Sequence, residues 1–99
     1  MKMNRIIALV TFCLVCSLTY SQTRVTVSGV VSDSHGETLV GVSIYEKSDP
    51  SKGIVTDYEG KYKTTVTAGD VLVFSYIGFN TREIKVGIEP NQFINVEME

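Results

Sequence analysis

Interruption, more than any single residue, limits what this chain can become. From Arg24 onward, short runs of alternating β-branched and polar residues are broken by Asp33-Ser34-His35-Gly36, by Ser48 to Lys52 with its Pro50, and by Asp57-Tyr58-Glu59-Gly60. Thr67-Ala68-Gly69-Asp70 and Gly87 to Asn91, with Pro90, break it again. An Asp side chain accepts hydrogen bonds from backbone groups two residues on, and glycine takes a positive φ without steric cost. Asp33 with Gly36, Asp57 with Gly60, Gly69 and Gly78 are therefore expected at turns. No window repeats its apolar residues at the spacing of an amphipathic helix. Turn signals every 8–12 residues or so are the pattern of a small β-sandwich.

About seven strands follow from this reading. The first runs from Val25 to Val31, with Thr26 and Ser28 opposite the valines and Gly29 marking a bulge or a close backbone approach. Val42 to Glu46 comes next, with Val42, Ile44 and Glu46 on one face. After a loop at Ser48 to Lys52 come Gly53 to Thr56 and then Lys61 to Val66, whose Tyr62, Thr64 and Val66 share a face. Val71 to Tyr76 is apolar on both faces, the composition of a central strand. Thr81 to Val86 and Phe93 to Met98 complete an all-β, antiparallel sandwich. Between Tyr76 and Asn80, Gly78 is expected to turn the chain while Ile77 and Phe79 fold back onto the sandwich rim.

The first twenty-one residues read as an export signal. Lys2 and Arg5 precede an apolar run from Ile6 to Leu18, and small side chains at Thr19 and Ser21 suit signal peptidase, placing cleavage after Ser21. The run is shorter than the roughly 20 residues of a membrane-spanning helix, so no membrane span is expected in the mature chain, Gln22 to Glu99. Cys13 and Cys16 leave with the signal, so no disulfide is available to the mature domain. Of the nine Lys and Arg residues, seven remain against eleven acids, a formal balance of minus four that argues against a nucleic-acid surface.

Catalytic chemistry finds little to work with. His35 is the only histidine and lies in a turn, no mature cysteine exists, and no glycine-rich phosphate loop or serine elbow is present. Asp57, Glu59 and Gly60 invite calcium, but their spacing is not that of a calcium-binding loop, and an Asp-stabilised turn accounts for them. No cofactor or metal is expected. Tyr45, Tyr58, Tyr62 and Tyr76 offer flat apolar faces with a polar handle, the property a sugar platform uses. Tyr58, at a turn tip, is the one expected to be exposed.

The order of the motifs carries more than any one of them. "VSGVVSDSHGETLVGVSIYEKS" resembles the opening of carboxypeptidase-regulatory-like domains, with a G-x-V-x-D strand end followed by G-E-x-L-x-G-V. "GIVTDYEGKYKTTVTAGDVLVFSYIGFNTREIKV" is similar to the remainder, with T-D-x-x-G-x-Y, A-G-D-x-L and S-Y-I-G-F in sequence. The resemblance covers Val25 to Met98 and is greatest to the domain that opens TonB-linked, starch-utilisation-type receptors of Gram-negative outer membranes. It implies a transthyretin-like, Greek-key sandwich in the periplasm, ahead of a plug and a β-barrel that import glycans or peptides. The sequence stops at Glu99, where such a receptor continues. That leaves a free-standing domain and the leading fragment of a receptor as the two readings. The function expected is a non-enzymatic interaction module with a protein partner, the plug, barrel or a neighbouring domain. The alternative is a glycan-binding module using Tyr58, with Phe79 a further candidate for partner contact.

Overall fold

The computed structural model describes residues 23–99, so the expected export signal and both cysteines lie outside the described residues. Eight strands form: β1 (Arg24–Asp33), β2 (Ser43–Glu46), β3 (Asp49–Val55), β4 (Lys61–Thr67), β5 (Val71–Ser75), β6 (Arg82–Lys85), β7 (Asn91–Phe93) and β8 (Val96–Met98). They build two four-stranded sheets. In the first, β1 pairs with β4 on one side and with β7 and then β8 on the other. The second has the order β3-β2-β5-β6. The architecture is the all-β sandwich that the turn spacing implies.

Two-residue periodicity decides which side chains fill it. Val25, Val27 and Val31 of β1 are buried, as are Val42 and Ile44, Tyr62 and Val66, Leu72 and Phe74, Val86, Val96 and Met98. Thr26, Ser28 and Val30 lie on the other face of β1, half-exposed. Phe74 is fully enclosed, with the Tyr62 ring edge-on at 5.4 Å between centroids and 76° between planes. β5 lies between β2 and β6, and its outward Val73 is also buried, opposite Tyr45 on one neighbour and Glu83 on the other. Cross-strand neighbours thus cover the strand's second face.

Two segments differ from the sequence reading. Ser48 to Lys52 is expected as a loop, but β3 begins at Asp49 and includes Pro50. Proline lacks a ladder donor and is tolerated here because β3 is an edge strand, with a register shift between Ile44 and Glu46 opposite it. The last expected strand divides into β7 and β8, and both run parallel to β1, pairing Thr26 with Asn91 and Val31 with Val96. The first sheet is consequently mixed. After β6 the chain crosses to the other sheet instead of turning back as a hairpin, so β7 starts from the same end as β1.

The division between β7 and β8 is tied to Gly29. The β1–β4 register is unbroken from Arg24–Thr67 to Val30–Lys61, which makes Gly29 a site of close approach and not a bulge. A Cβ there would lie 2.7 Å from the Ile94 carbonyl carbon and nearer still to its oxygen. That oxygen accepts a hydrogen bond from the Tyr62 hydroxyl at 2.5 Å. One residue later, Asn95 Oδ1 accepts from the Val30 N–H at 3.0 Å, so a side chain substitutes for the ladder where the backbone leaves it.

Candidate functional site

The loops joining β1 to β2, β3 to β4 and β5 to β6 gather at one end of the sandwich, together with the end of β8. Two of them contain the same small device. Asp33 Oδ1 accepts from the N–H groups of His35 at 2.8 Å and Glu37 at 3.0 Å, and Asp57 Oδ1 accepts from those of Glu59 at 2.8 Å and Lys61 at 2.9 Å. Each turn closes on a left-handed glycine, Gly36 at φ 80° and Gly60 at φ 76°. Gly60 is also hemmed in: a Cβ would lie 2.8 Å from both the Val31 carbonyl oxygen and Thr38 Cβ.

Buried Thr56 fastens these loops together. Its hydroxyl donates to the Leu39 carbonyl at 2.6 Å and accepts from the Val42 N–H at 3.0 Å, while its carbonyl accepts from the Gly41 N–H at 3.1 Å. The third loop is joined to β8 by the Asn80 N–H, which donates to the Glu99 carbonyl at 2.7 Å. Backbone so fully engaged fixes the loop tips without a large core beneath them.

Each loop exposes one large apolar side chain among polar neighbours such as Ser34, His35, Glu37, Asp57, Glu59 and Asn80. Val40, Tyr58 and Ile77, one from each loop, are 49%, 83% and 96% exposed. The expectation that Ile77 folds onto the rim is thereby corrected. Gly78, at φ 89°, turns the chain so that Ile77 projects outward, and only Phe79 packs back, half-buried with its ring 5.8 Å from that of Tyr76. The opposite end is largely polar. There Arg24 lies 3.6 Å from the buried Glu46 carboxylate, and the Ser48 hydroxyl donates to Asp70. That hydroxyl and the Val71 N–H hold the Asp70 carboxyl below the usual range. Ile88 is the exposed apolar residue of the loop between β6 and β7.

The four tyrosines considered as a sugar platform are dispersed. Tyr62 is in the core, where burial raises its hydroxyl pKa to about 12, Tyr45 and Tyr76 are half-buried, and Tyr58 stands alone at its turn. His35 is exposed in its turn, and among the described residues no three His, Cys, Asp or Glu side chains are grouped to hold a metal ion. The sequence reading passed over Phe93, which is 84% exposed on the outer face of β7. Its signal lies in the alternation of "FINVEM": Ile94, Val96 and Met98 form the inward set, leaving Phe93 on the outward one.

Residues 27–99 match the CarboxypepD_reg-like domain family. The chain belongs to that family. Among curated relatives, the TonB-dependent receptor SusC of Bacteroides thetaiotaomicron is 30% identical over 76 residues, which is 77% of this chain and 8% of the receptor. A TonB-dependent receptor of Formosa agariphila is 41% identical over 73 residues, 74% of this chain and 7% of the receptor. The chain therefore spans less than a tenth of the length of either. A solved cohesin–X-dockerin complex of Acetivibrio cellulolyticus has a similar fold, with a TM-score of 0.62 and 19% identity over 75% of this chain and 56% of that one. The 3-chlorocatechol 1,2-dioxygenase of Rhodococcus opacus has a TM-score of 0.55 and 10% identity, covering 82% and 61%. These last two likenesses concern the sandwich alone. Family members matched by sequence are receptors, and no helix among the described residues is long and apolar enough to cross a membrane.

Proposed function

We propose that this chain is a non-enzymatic, exported interaction module of a TonB-dependent outer-membrane uptake system, and that it docks in the periplasm against a neighbouring domain of the receptor. The observation that carries this reading is the loop end. Three bulky apolar side chains from three separate loops stand exposed on a backbone framework of hydrogen bonds and left-handed glycines. Exposed apolar side chains grouped at one site are a mark of protein contact, and a rigid framework lowers the entropic cost of using them. The end of β8 lies at the same end of the sandwich, so a domain placed after β8, as in a receptor of this family, meets these tips first. Burying a side chain such as Ile77 contributes about 1.5–3 kcal/mol, enough to govern a modest interface.

The test is photo-crosslinking in cells from a benzoyl-phenylalanine placed at position 77, with adducts identified by mass spectrometry. A TonB-dependent receptor is the expected adduct, with crosslinking reduced by Tyr58→Ser. Adducts only with unrelated periplasmic proteins, or none at all, would refute the reading. Saturable binding of a polysaccharide that is lost in Tyr58→Ala would instead favour the glycan-binding alternative.

A further inference from the structure

A second surface lies away from the loop end, on the outer face of β4-β1-β7. A groove of about 260 Å³ is cut into it, floored by Ser28, Gly29 and Val30 and walled by Phe93 and Asn95 on one side and Lys61 on the other. The charge on this face runs against the rest of the domain. With seven cations against eleven acids from Arg24 onward, the chain is acidic, yet the outward positions of these strands are Arg24, Thr26, Ser28 and Val30, Lys61, Lys63, Thr65 and Thr67, Asn91 and Phe93. Three are cations; the one carboxylate on the sheet's outer face, Glu97, lies on β8 opposite Ser32, four residues along β1 from Ser28.

Two of those cations are engaged. Arg24 donates to the Thr67 hydroxyl and the Thr65 carbonyl and lies beside Glu46. Lys61 pairs with Glu59 of the adjoining turn at 2.9 Å, which holds its ammonium above the ordinary range. Lys63 has no carboxylate within 4.0 Å among the described residues. It is opposite Ser28, which is opposite Phe93, so the three form one row across the sheet. At the usual strand separation the ends of that row are roughly 10 Å apart.

We propose that this face binds an extended acidic peptide segment carrying a bulky apolar side chain. The apolar group lies in the groove against Phe93 and Val30, and a carboxylate of the same segment pairs with Lys63. Side chains two positions apart share a face of an extended chain roughly 7 Å from each other, and the length of the Lys63 and carboxylate side chains spans the rest of the row. A neutral sugar would use the Phe93 ring but gain nothing from the cations. The loop-end contact involves other residues, so either proposal can fail without the other.

The probe is a fluorescein-labelled decapeptide with Glu at alternate positions and one central Phe, compared with its counterpart carrying Lys for every Glu, by anisotropy against the purified domain. Saturable binding of the acidic peptide alone is expected, weakened by added salt and by at least about tenfold in Lys63→Glu and in Phe93→Ser. Lys85→Glu, on the other sheet, should leave it unchanged. Both groove substitutions replace exposed side chains, so an unaltered thermal midpoint shows that the fold is intact. The proposal is overturned by absence of saturable binding, by equal binding of the Lys peptide, or by insensitivity to Lys63→Glu. It is also overturned if polygalacturonate binds through Lys63 and Phe93 where the peptide does not.

Discussion

Replacing Gly29 by alanine tests the part of the fold on which the β7–β8 division depends. The new methyl group would lie 2.7 Å from the Ile94 carbonyl carbon and closer to its oxygen, so the Ile94–Asn95 segment must move away from β1. Steric overpacking of this kind costs about 1–3 kcal/mol. The same carbonyl accepts the Tyr62 hydroxyl, and displacing it loses a hydrogen bond worth about 1 kcal/mol net, more if the buried donor is left unpaired. The expected destabilisation is about 2–4 kcal/mol, which for a domain of this size lowers Tm by roughly 8–30 °C. Scanning calorimetry on Gly29→Ala, Tyr62→Phe and the double variant supplies the decisive comparison. Because both changes act on one carbonyl, the double variant should lose less than the sum of the singles. A Gly29→Ala midpoint equal to the wild type, or strictly additive losses, would refute the close-approach account.

Gly78→Val should destabilise by about 1–2 kcal/mol from its left-handed backbone alone, whereas Gly60→Ala should cost more in the same urea titration, because its methyl group also meets the Val31 carbonyl and Thr38. Tyr62 keeps its proton more tightly folded than unfolded, so its contribution is fully present below pH 10 and is lost as pH rises toward 12; the difference, roughly 2–3 kcal/mol, should be absent from Tyr62→Phe when stability is compared across that range. Asp70 has the opposite sign: its folded carboxyl is depressed, so stability from the Ser48 contact is present above pH 4 or so and fades below it, and the gap between wild type and Ser48→Ala should narrow on acidification. Ile77→Asp should leave stability within about 0.5 kcal/mol of wild type, since the side chain touches little, while reducing receptor crosslinking from a probe at Tyr58.

Most of the sandwich is legible from local rules because each strand reports its own inward face. Val25 and Val27, Val42 and Ile44, and Tyr62 and Val66 declare their alternation without reference to partners, and β5 shows its central position by being apolar on both sides. What is not local is harder to read. Pro50 speaks against a strand unless it is known that β3 lies at an edge, and that depends on where β2 finds its other neighbour. The parallel pairing of β7 and β8 follows from the crossover after β6, for which no residue between Val86 and Pro90 carries a distinctive mark. Ile77 illustrates a further limit: a turn glycine can be recognised, but the direction in which its neighbours point depends on the turn's orientation. Phe93 is the reverse case, since the alternation that exposes it was present in the sequence and only its exposure needed the structure.

β1 is the strand to which every other member of its sheet is joined, and those members arrive late. The bonds it makes to the β4 segment span up to 43 residues of chain, and that to Asn95 spans 65. The edge of β1 that takes β4 can pair once residue 67 is present, but the edge that takes β7 and β8 stays open until the last strands of the chain arrive. During that interval its valine-rich face is a sticky, incomplete surface. Truncating the final dozen residues should therefore leave that edge of β1 permanently open and raise the tendency to aggregate.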